Sequence, residues 1–553
     1  MKINSAKIKY KIMSKRIILL LVSLTVLCSA SYRNLTGADK SIPASNLMIK
    51  RDTVEKWDVF EVELISEKKF KNPFEDVTLT AWFTTGSTTK EVNGFYDGGS
   101  TWKIRFMPEE TGQYNFRTES NYKGFSGLTG SFQSVGPSPG NQGPVRVDKK
   151  YHFSYADGTP CFIMGTTIYN WIFRPAELRQ NTLESLEAYQ FNKARMVVFP
   201  QYFKLPSGDN VFEGIDISYE PDMPPYKGKL YAFDYRNFNV EYFRNLENRI
   251  RELRDIGVEA DVILFHNYDF GLWGIDDGLS DDDALFYLDY LMVRISSLRN
   301  VWWSLANEYD LVMPEGKNAR SVPDRRDWDR IGNYIMNNDP YNHPRSVHEW
   351  SKIYPNRPWM THVSCQKPDT YNLLIRLKKE YQKPVICDEY QYEGNIADGW
   401  GNLTPQQAVF RHWLSVMAGA YATHGDCYVA DTNIKDSFFT YGGEITVKGS
   451  SRLKFLKEIV EQLPFQEMAP LEEFSKDHKK FCLSKGNDVM LFLLTGDYTD
   501  RKLYFNSSGL ANKYDVTVYD TWNCSVADRV REVGSYDASK HHGLIAVKAI
   551  RIK

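Results

Sequence analysis

The sequence predicts a multidomain protein, a central (β/α)8 (TIM) barrel flanked by an amino-terminal and a carboxyl-terminal β-sandwich. Three observations predict it. From Val54 to about Val135 short alternating strands follow one another between turn residues. The rhythm then changes to apolar strands alternating with longer helical segments, eight times over roughly 270 residues, against about 250 for a typical barrel. From about Glu467 the short alternating strands return. A chain of 553 residues is too long for a single core, so several domains are expected.

In chain order, residues 1–30 read as a leader. "MSKRIILLLVSLTVLCSA" has a basic start, an apolar run and small residues at its end, the layout of a secretory signal peptide starting at Met13. Cleavage after Ala30 would use Cys28 and Ala30 as the small pair. The rival is a lipid anchor on Cys28, against which Leu27 is bulky for lipoprotein processing. The mature chain is therefore expected to be secreted or periplasmic. No later stretch has the roughly 18 uninterrupted apolar residues of a membrane span.

Residues 45–136 form the first sandwich, with strands in "WDVFEVELIS", "VTLTAWFT", "TWKIRFMP", "GQYNFRTES" and "GSFQSV". "GPSPGNQGP", Gly136 to Pro144, is dense in turn formers and marks a linker over 137–147, with a protease expected to cut between Gly136 and Pro144. The barrel spans 148–465. Its strands are "CFIMGTTIY", "KARMVVFPQY", "EADVILFHNYD", "VWWSLANEYD", "PRSVHEW", "WMTHVSCQ", "PVICDEYQYEG" and "YATHGDCYVAD". Helix-like stretches lie between them, such as "VEYFRNLENRIRELRDIG", with apolar residues three and four apart and a glycine stop. An open doubly wound sheet would want a Gly-rich phosphate loop after its first strand, and "MGTTIYNW" is not one. Residues 466–553 supply the last strands, "KFCLSK", "DVMLFLLTG", "KLYFN", "KYDVTVYDTWN" and "GLIAVKAIRIK".

Composition narrows the function. The formal charge is −2, with no basic block after the amino-terminal cluster, which argues against nucleic acid and for a neutral or weakly charged substrate. The 14% aromatic content can line a groove with rings. Seven cysteines without a C-x-x-C pair argue against a zinc knuckle. Cys161, Cys365, Cys387 and Cys427 read as buried thiols, while Cys482 and Cys524 could pair. No cofactor is implied.

In a barrel the reacting groups sit at the carboxyl ends of the strands. Those ends carry Asn170 and Trp171; Arg195 and Gln201; His266 and Asn267; Asn307 and Glu308; His348 and Glu349; His362; Glu389; and His424 with Asp426. Polar groups on so many strand ends would be costly to bury alone, at roughly 1 to 3 kcal/mol each, and a sugar's hydroxyls suit them. Trp171, Trp273, Trp350 and Trp400 could offer ring faces to a sugar. Glu308 closes the fourth strand and Glu389 the seventh, 81 residues apart. Strands four and seven face each other across the mouth, so the two carboxyl groups can flank one glycosidic bond.

That pair resembles the retaining (β/α)8 glycoside hydrolases with glutamates on strands four and seven. The resemblance implies Glu308 as acid/base, Glu389 as nucleophile and Asn307 on the sugar 2-hydroxyl. Arg195, His266, Asn267, His348, His362, His424, Trp171 and Trp400 complete the expected substrate contacts, with His362 supporting Glu389. The layout, with Tyr392-Glu393-Gly394 after strand seven, is similar to the apiosidase-like (DUF4038-type) hydrolases of bacterial polysaccharide degraders, with a DUF5060-like domain before the barrel and a DUF5605-like β-domain after it. The chain departs from them in carrying Asn-Glu where their fourth strand has Asp, and "GTTIYNW" where their first reads nearer G-D-T-A-W. Those departures place the chemistry with the broader clan of retaining (β/α)8 hydrolases and leave the sugar open. Two other readings are a non-catalytic carbohydrate-binding protein on a degenerate barrel, and a metal-dependent hydrolase using His266, His348, His362 and His424. Opposed carboxylates speak against the first. The second lacks H-x-H on strand one.

Overall fold

The computed structural model describes residues 46–552, apart from 202–222, 230–231, 269–272, 274–278, 313–318, 397–398, 430–436, 477, 497–498 and 506–511. The leader and Cys28 lie outside the described residues.

Eight strands between Leu47 and Val135 make the first domain, a two-layered sandwich. Thr88–Tyr96 belongs to both layers. Up to Asn93 it pairs with Leu79–Thr85, and from Gly94 onward with Thr101–Phe106. Gly94 is required at the crossing, because a Cβ there would lie 2.6 Å from Leu79 Cδ2. The period-2 pattern sends Phe60, Val62 and Leu64 inward. Phe60 stacks on Phe132 and Phe83 on Phe106, with ring centroids 3.9 and 4.2 Å apart.

The linker is fastened to this domain. Glu55 Oε2 accepts hydrogen bonds from Ser138 N (3.0 Å), Ser138 Oγ (2.9 Å) and Asn141 Nδ2 (3.1 Å). From Asn141 to Val145 the chain is largely buried, while residues 136–140 are exposed. Limited proteolysis should therefore cut within 136–140, and faster in Glu55→Ala. Equal rates in the two proteins would show that Glu55 does not hold the segment.

The eight expected barrel strands are all present and parallel: β1 (Met164–Thr167), β2 (Lys193–Val197), β3 (Glu259–Phe265), β4 (Val301–Ala306), β5 (Arg345–Ser346), β6 (Val363–Gln366), β7 (Val385–Glu389) and β8 (Tyr421–His424). Hydrogen bonding runs without a break from β5 back through β1 to β8 and on to β6. The seam between β5 and β6 is closed by Arg345 and Thr361. Arg345 N donates to Thr361 Oγ1 (2.7 Å), and Thr361 N to Arg345 O (2.9 Å). A hairpin of Val145–Asp148 and His152–Tyr155 plugs the bottom, its Phe153 ring 5.0 Å from that of Trp302.

The wall is completed by helices α1 (Ala176–Ala188), α2 (Val240–Asp255), α3 (Asp281–Ile295), α4 (Trp328–Asn338), α5 (Asn372–Tyr381), α6 (Pro405–Met417) and α7 (Gly449–Val460). The expected helix "VEYFRNLENRIRELRDIG" is α2. It buries Tyr242, Phe243, Leu246, Ile250 and Leu253, and ends before Gly257, whose φ of 72° suits glycine. The first domain meets α2 and α3 through paired charges. Arg105 Nη2 donates to Glu247 Oε2 (3.0 Å), and Arg294 Nη2 to Asp97 Oδ1 (2.8 Å).

Beneath the mouth, Lys193 Nζ lies 2.5 Å from Asp261 Oδ2 and 2.9 Å from Asp388 Oδ1, and Ser364 and Thr423 also donate to Asp388. Fully buried charges persist only when paired in this way. Glu259, lower in the barrel, has no salt-bridge partner among the described residues, and Arg299 and Arg146 act on it only from a distance. Trp302 Nε1 donates to it (2.8 Å), and burial pushes its carboxyl up to about 8. The folded state thus keeps a proton that the unfolded chain releases near pH 4.5. Stability should fall as pH rises from there toward about 8, and Glu259→Gln should flatten that part of a melting-temperature curve. An unchanged slope in the variant would contradict this.

The last domain is a six-stranded antiparallel sheet and a two-stranded ribbon, Lys502–Tyr504 with Ser535–Asp537. Along Val489–Leu494, Leu491 and Leu493 join the barrel core on the side of α6 and α7, while Phe492 and Leu494 face the ribbon's Leu503 and Tyr536. Cys482 and Cys524 do not pair. Cys482 is buried in that core, and Cys524 Sγ lies 3.7 Å from Ser451 O. Among the described residues no helix is long and apolar enough to cross a membrane.

Candidate active site

Two backbone irregularities aim the carboxyl groups. Strand β7 pairs with β6 in regular register through Cys365 and Cys387, then Gln366 pairs with Glu389, so Asp388 is an extra, bulged residue. In a regular strand, neighbours point to opposite faces; the bulge turns both Asp388 and Glu389 into the barrel. Asp388 reaches down to Lys193 and Glu389 faces the mouth. At the end of β4, Glu308 adopts φ 51°, a left-handed conformation uncommon for a side chain of this size. That turn lets the consecutive residues Asn307 and Glu308 join one network.

Glu389 is a multiple acceptor. Its Oε1 takes hydrogen bonds from Tyr169 OH (2.8 Å) and Arg195 Nη1 (3.2 Å), and its Oε2 from Trp400 Nε1 (3.2 Å). Tyr392 OH lies 3.0 Å from Tyr169 OH. Arg195 also donates through Nη2 to Asn307 Oδ1 (2.5 Å), Asn307 Nδ2 donates to Tyr268 OH (2.8 Å), and Tyr268 OH donates to Glu308 Oε2. One chain of hydrogen bonds, Glu389, Arg195, Asn307, Tyr268, Glu308, therefore crosses the mouth. Each donor after the guanidinium is polarised by the one before it.

The two carboxyl groups differ in surroundings. Burial, and then the nearby charge of Glu389, push Glu308 well above the usual carboxylate range, so it carries a proton at neutral pH. The hydrogen bonds from Tyr268 and Gln366 act in the opposite direction. Glu389 sits beside the Arg195 cation. His348 accepts from Glu308 N at Nδ1 (3.4 Å), which leaves the proton on Nε2, 3.8 Å from Glu389 Oε1. Burial, and then Arg195, hold that ring neutral. The site thus places a neutral carboxylic acid opposite a carboxylate that accepts three hydrogen bonds, the division of labour that glycosidic bond cleavage needs.

Of the expected residues, Glu308, Glu389, Asn307, Arg195, His348 and Trp400 come together here. Asn267 lies at the edge, with its Nδ2 donating to Leu311 O. Four others are corrected. Trp171 is fully buried in the barrel core and has no face for a sugar. His266 uses both ring nitrogens on backbone, Nε2 with Phe199 O (2.8 Å) and Nδ1 with Tyr268 N (3.3 Å). His362 precedes β6 and packs against Phe153 and Trp302 at the bottom, so Tyr169 supports Glu389 in its place. His424 packs flat against Phe191 and hydrogen-bonds Glu393 (3.1 Å), whose other oxygen takes Gly449 N. The four histidines of the metal reading do not converge, and the described residues hold no group of three or more metal-ligating side chains. Tyr169, Tyr268, Tyr392 and Gln366 were not anticipated. The signal for the first two is a tyrosine beside the polar strand-end residue, in "IYN" and "HNY".

Comparison with known proteins decides the family. The apiosidase-like catalytic domain matches residues 147–467, and a domain of unknown function (DUF5060) matches residues 53–121. The chain belongs to the apiosidase-like family. It is a glycoside hydrolase. A solved structure of a candidate glycoside hydrolase from Bacteroides vulgatus ATCC 8482 is 31% identical, with a TM-score of 0.78 over 91% of this chain and 100% of that one. A glycoside hydrolase family 5 structure from the same organism, 16% identical, shares the fold at a TM-score of 0.56, over 75% of this chain and 95% of that one. No curated protein matches the chain. This apiosidase-like enzyme carries its two glutamates just after β4 and at the end of β7, within one hydrogen-bonded site.

Proposed function

We propose that this apiosidase-like hydrolase cleaves glycosidic bonds of a complex polysaccharide or of oligosaccharides derived from it, outside the cytoplasm, by a two-carboxylate retaining mechanism. Glu308 protonates the leaving oxygen while Glu389 attacks the anomeric carbon. Glu308, now ionised, then takes a proton from the water that hydrolyses the glycosyl-enzyme. Asn307, fixed by Arg195, is placed to hold the 2-hydroxyl. The reading is carried by the hydrogen-bond chain between the two glutamates, which joins a protonated group to a multiply hydrogen-bonded one.

A carbohydrate partner is supported by buried polar atoms at the strand ends that lack a hydrogen-bond partner among the described residues: Asn170 Nδ2, Gln201 Oε1, Glu349 Oε2 and Gln366 Oε1. Hydroxyl groups both donate and accept, and so suit a mixture of donors and acceptors. The leader-like start supports export, either by cleavage after Ala30 or by a lipid on Cys28.

Tyr268 gives the first test. Its hydroxyl stabilises ionised Glu308, so Tyr268→Phe should raise the Glu308 pKa further. The alkaline limb of kcat/KM should then move to higher pH, measured on a polysaccharide the wild type degrades in a screen of plant and microbial glycans. A shift to lower pH would reject the acid role of Glu308, and no hydrolysis of any glycan would reject the reading as a whole.

A further inference from the structure

One well-formed cleft has neither Glu308 nor Glu389 in its lining. It lies between α6 and the last domain, with a volume of about 790 Å³. Its floor is apolar and aromatic, from Val409 and Phe410 of α6 and from Trp522 and Leu544 in loops of the last domain, and its rim carries Asn523 and His542 among other polar side chains.

The walls are preformed. Asp520 Oδ1 accepts from Trp522 N (3.1 Å) and Asn523 N (2.9 Å), and its Oδ2 accepts from Asn523 Nδ2 (2.8 Å), which fixes the turn carrying the tryptophan. Arg452 Nε donates to Trp522 O (3.0 Å) and its guanidinium lies 4.5 Å from the indole centroid, tying the turn to α7. Thr521 Oγ1 donates to Leu544 O (2.6 Å), joining the two loops that form one side. A cleft held open by side-chain hydrogen bonds does not pay to order itself when a ligand arrives.

The chemistry of the lining selects the ligand. Lys479 and Asp520 offset one another, so the rim favours neither anions nor cations. Rings below and hydrogen-bonding groups above match the apolar faces and equatorial hydroxyls of sugars. Position points the same way. Helix α6 starts five residues after Trp400, and Gln406, Val409 and Phe410 lie in its first six residues, within about 9 Å of its start at 1.5 Å per residue. That start is the end of the loop that lays Trp400 against Glu389. The cleft therefore begins beside the mouth, on its β7 side.

We propose that this cleft is a second carbohydrate-binding site, which holds a stretch of the same polysaccharide chain beyond the units held at the catalytic centre. It rests on the polysaccharide reading for its ligand, and on the cleft alone for its location.

The test uses the full chain carrying Glu389→Ala, so that no probe is degraded, in native gels cast with carob galactomannan, citrus pectin or arabinoxylan. The protein is expected to be retarded in at least one of these gels. Adding Trp522→Ala should weaken retardation about tenfold, as loss of a central aromatic anchor does, while Trp522→Phe should largely restore it. Should Trp522→Ala disturb folding, seen as a lowered melting temperature, the rim pair Asn523→Ala with His542→Ala gives the same reading. On otherwise wild-type protein, Trp522→Ala should raise KM for polymer and leave turnover of short oligosaccharides unchanged. Retardation that is absent from all three gels, or unmoved by both variants, overturns the site. Retardation by this cleft in a chain that hydrolyses nothing would instead refute the catalytic reading and leave the site standing.

Discussion

Glu389→Ala should lose turnover on every substrate, by on the order of 10⁵-fold or more, because no glycosyl-enzyme can form without the attacking carboxylate. The loss should not depend on the leaving group. Activated aryl glycosides and natural oligosaccharides need the same nucleophile. It should also exceed the loss in Tyr169→Phe, which removes one of the three donors to Glu389 but keeps the carboxylate. Steady-state rates on one glycan and one nitrophenyl glycoside measure this. Near wild-type turnover in Glu389→Ala would end the assignment.

Glu308→Ala should behave differently, because its role depends on what leaves. With a sugar leaving group the proton is essential, and a loss of about 10² to 10⁴-fold is expected. A nitrophenolate leaves unaided, so glycosylation should be affected far less and deglycosylation should limit the rate. Azide should then accelerate turnover, since a small anion fits the space left by the carboxylate and attacks without a general base. The product would be a glycosyl azide of the same anomeric configuration as the substrate. Equal losses on both substrates, with no azide effect, would remove Glu308 from the acid/base role.

The eight barrel strands were legible because strands covered on both faces read as continuous apolar runs, and "VWWSLA" and "PVIC" show this plainly. Glu308 and Glu389 were legible because each ends such a run. Failures arose where one residue's direction mattered. "WMTHVSCQ" hides where its strand begins, and His362 falls before β6 while Gln366 holds the mouth position. His424 ends β8 as expected but meets Phe191 and Glu393, not the mouth. Trp171 occupies the right segment with no exposed surface. The bulge at Asp388 and the left-handed Glu308 cannot be read from residue types, and they aim the pair. With 34 tyrosines in the chain, composition cannot single out Tyr169 and Tyr268, whose importance comes from contacts with residues 220 and 40 positions away.

If Glu389 is the nucleophile at the anomeric carbon, and not a base that activates water, the anomer released first shows it most directly. Retaining enzymes hold their carboxyl groups about 5 to 5.5 Å apart, and inverting ones about 6.5 to 9.5 Å, with room for a water between. Proton NMR of the anomeric region, recorded from the first minute of hydrolysis before mutarotation, distinguishes the two outcomes. The expected first product has the configuration of the bond cleaved and drifts later to the equilibrium mixture. A first product of the opposite configuration would contradict the nucleophile role of Glu389.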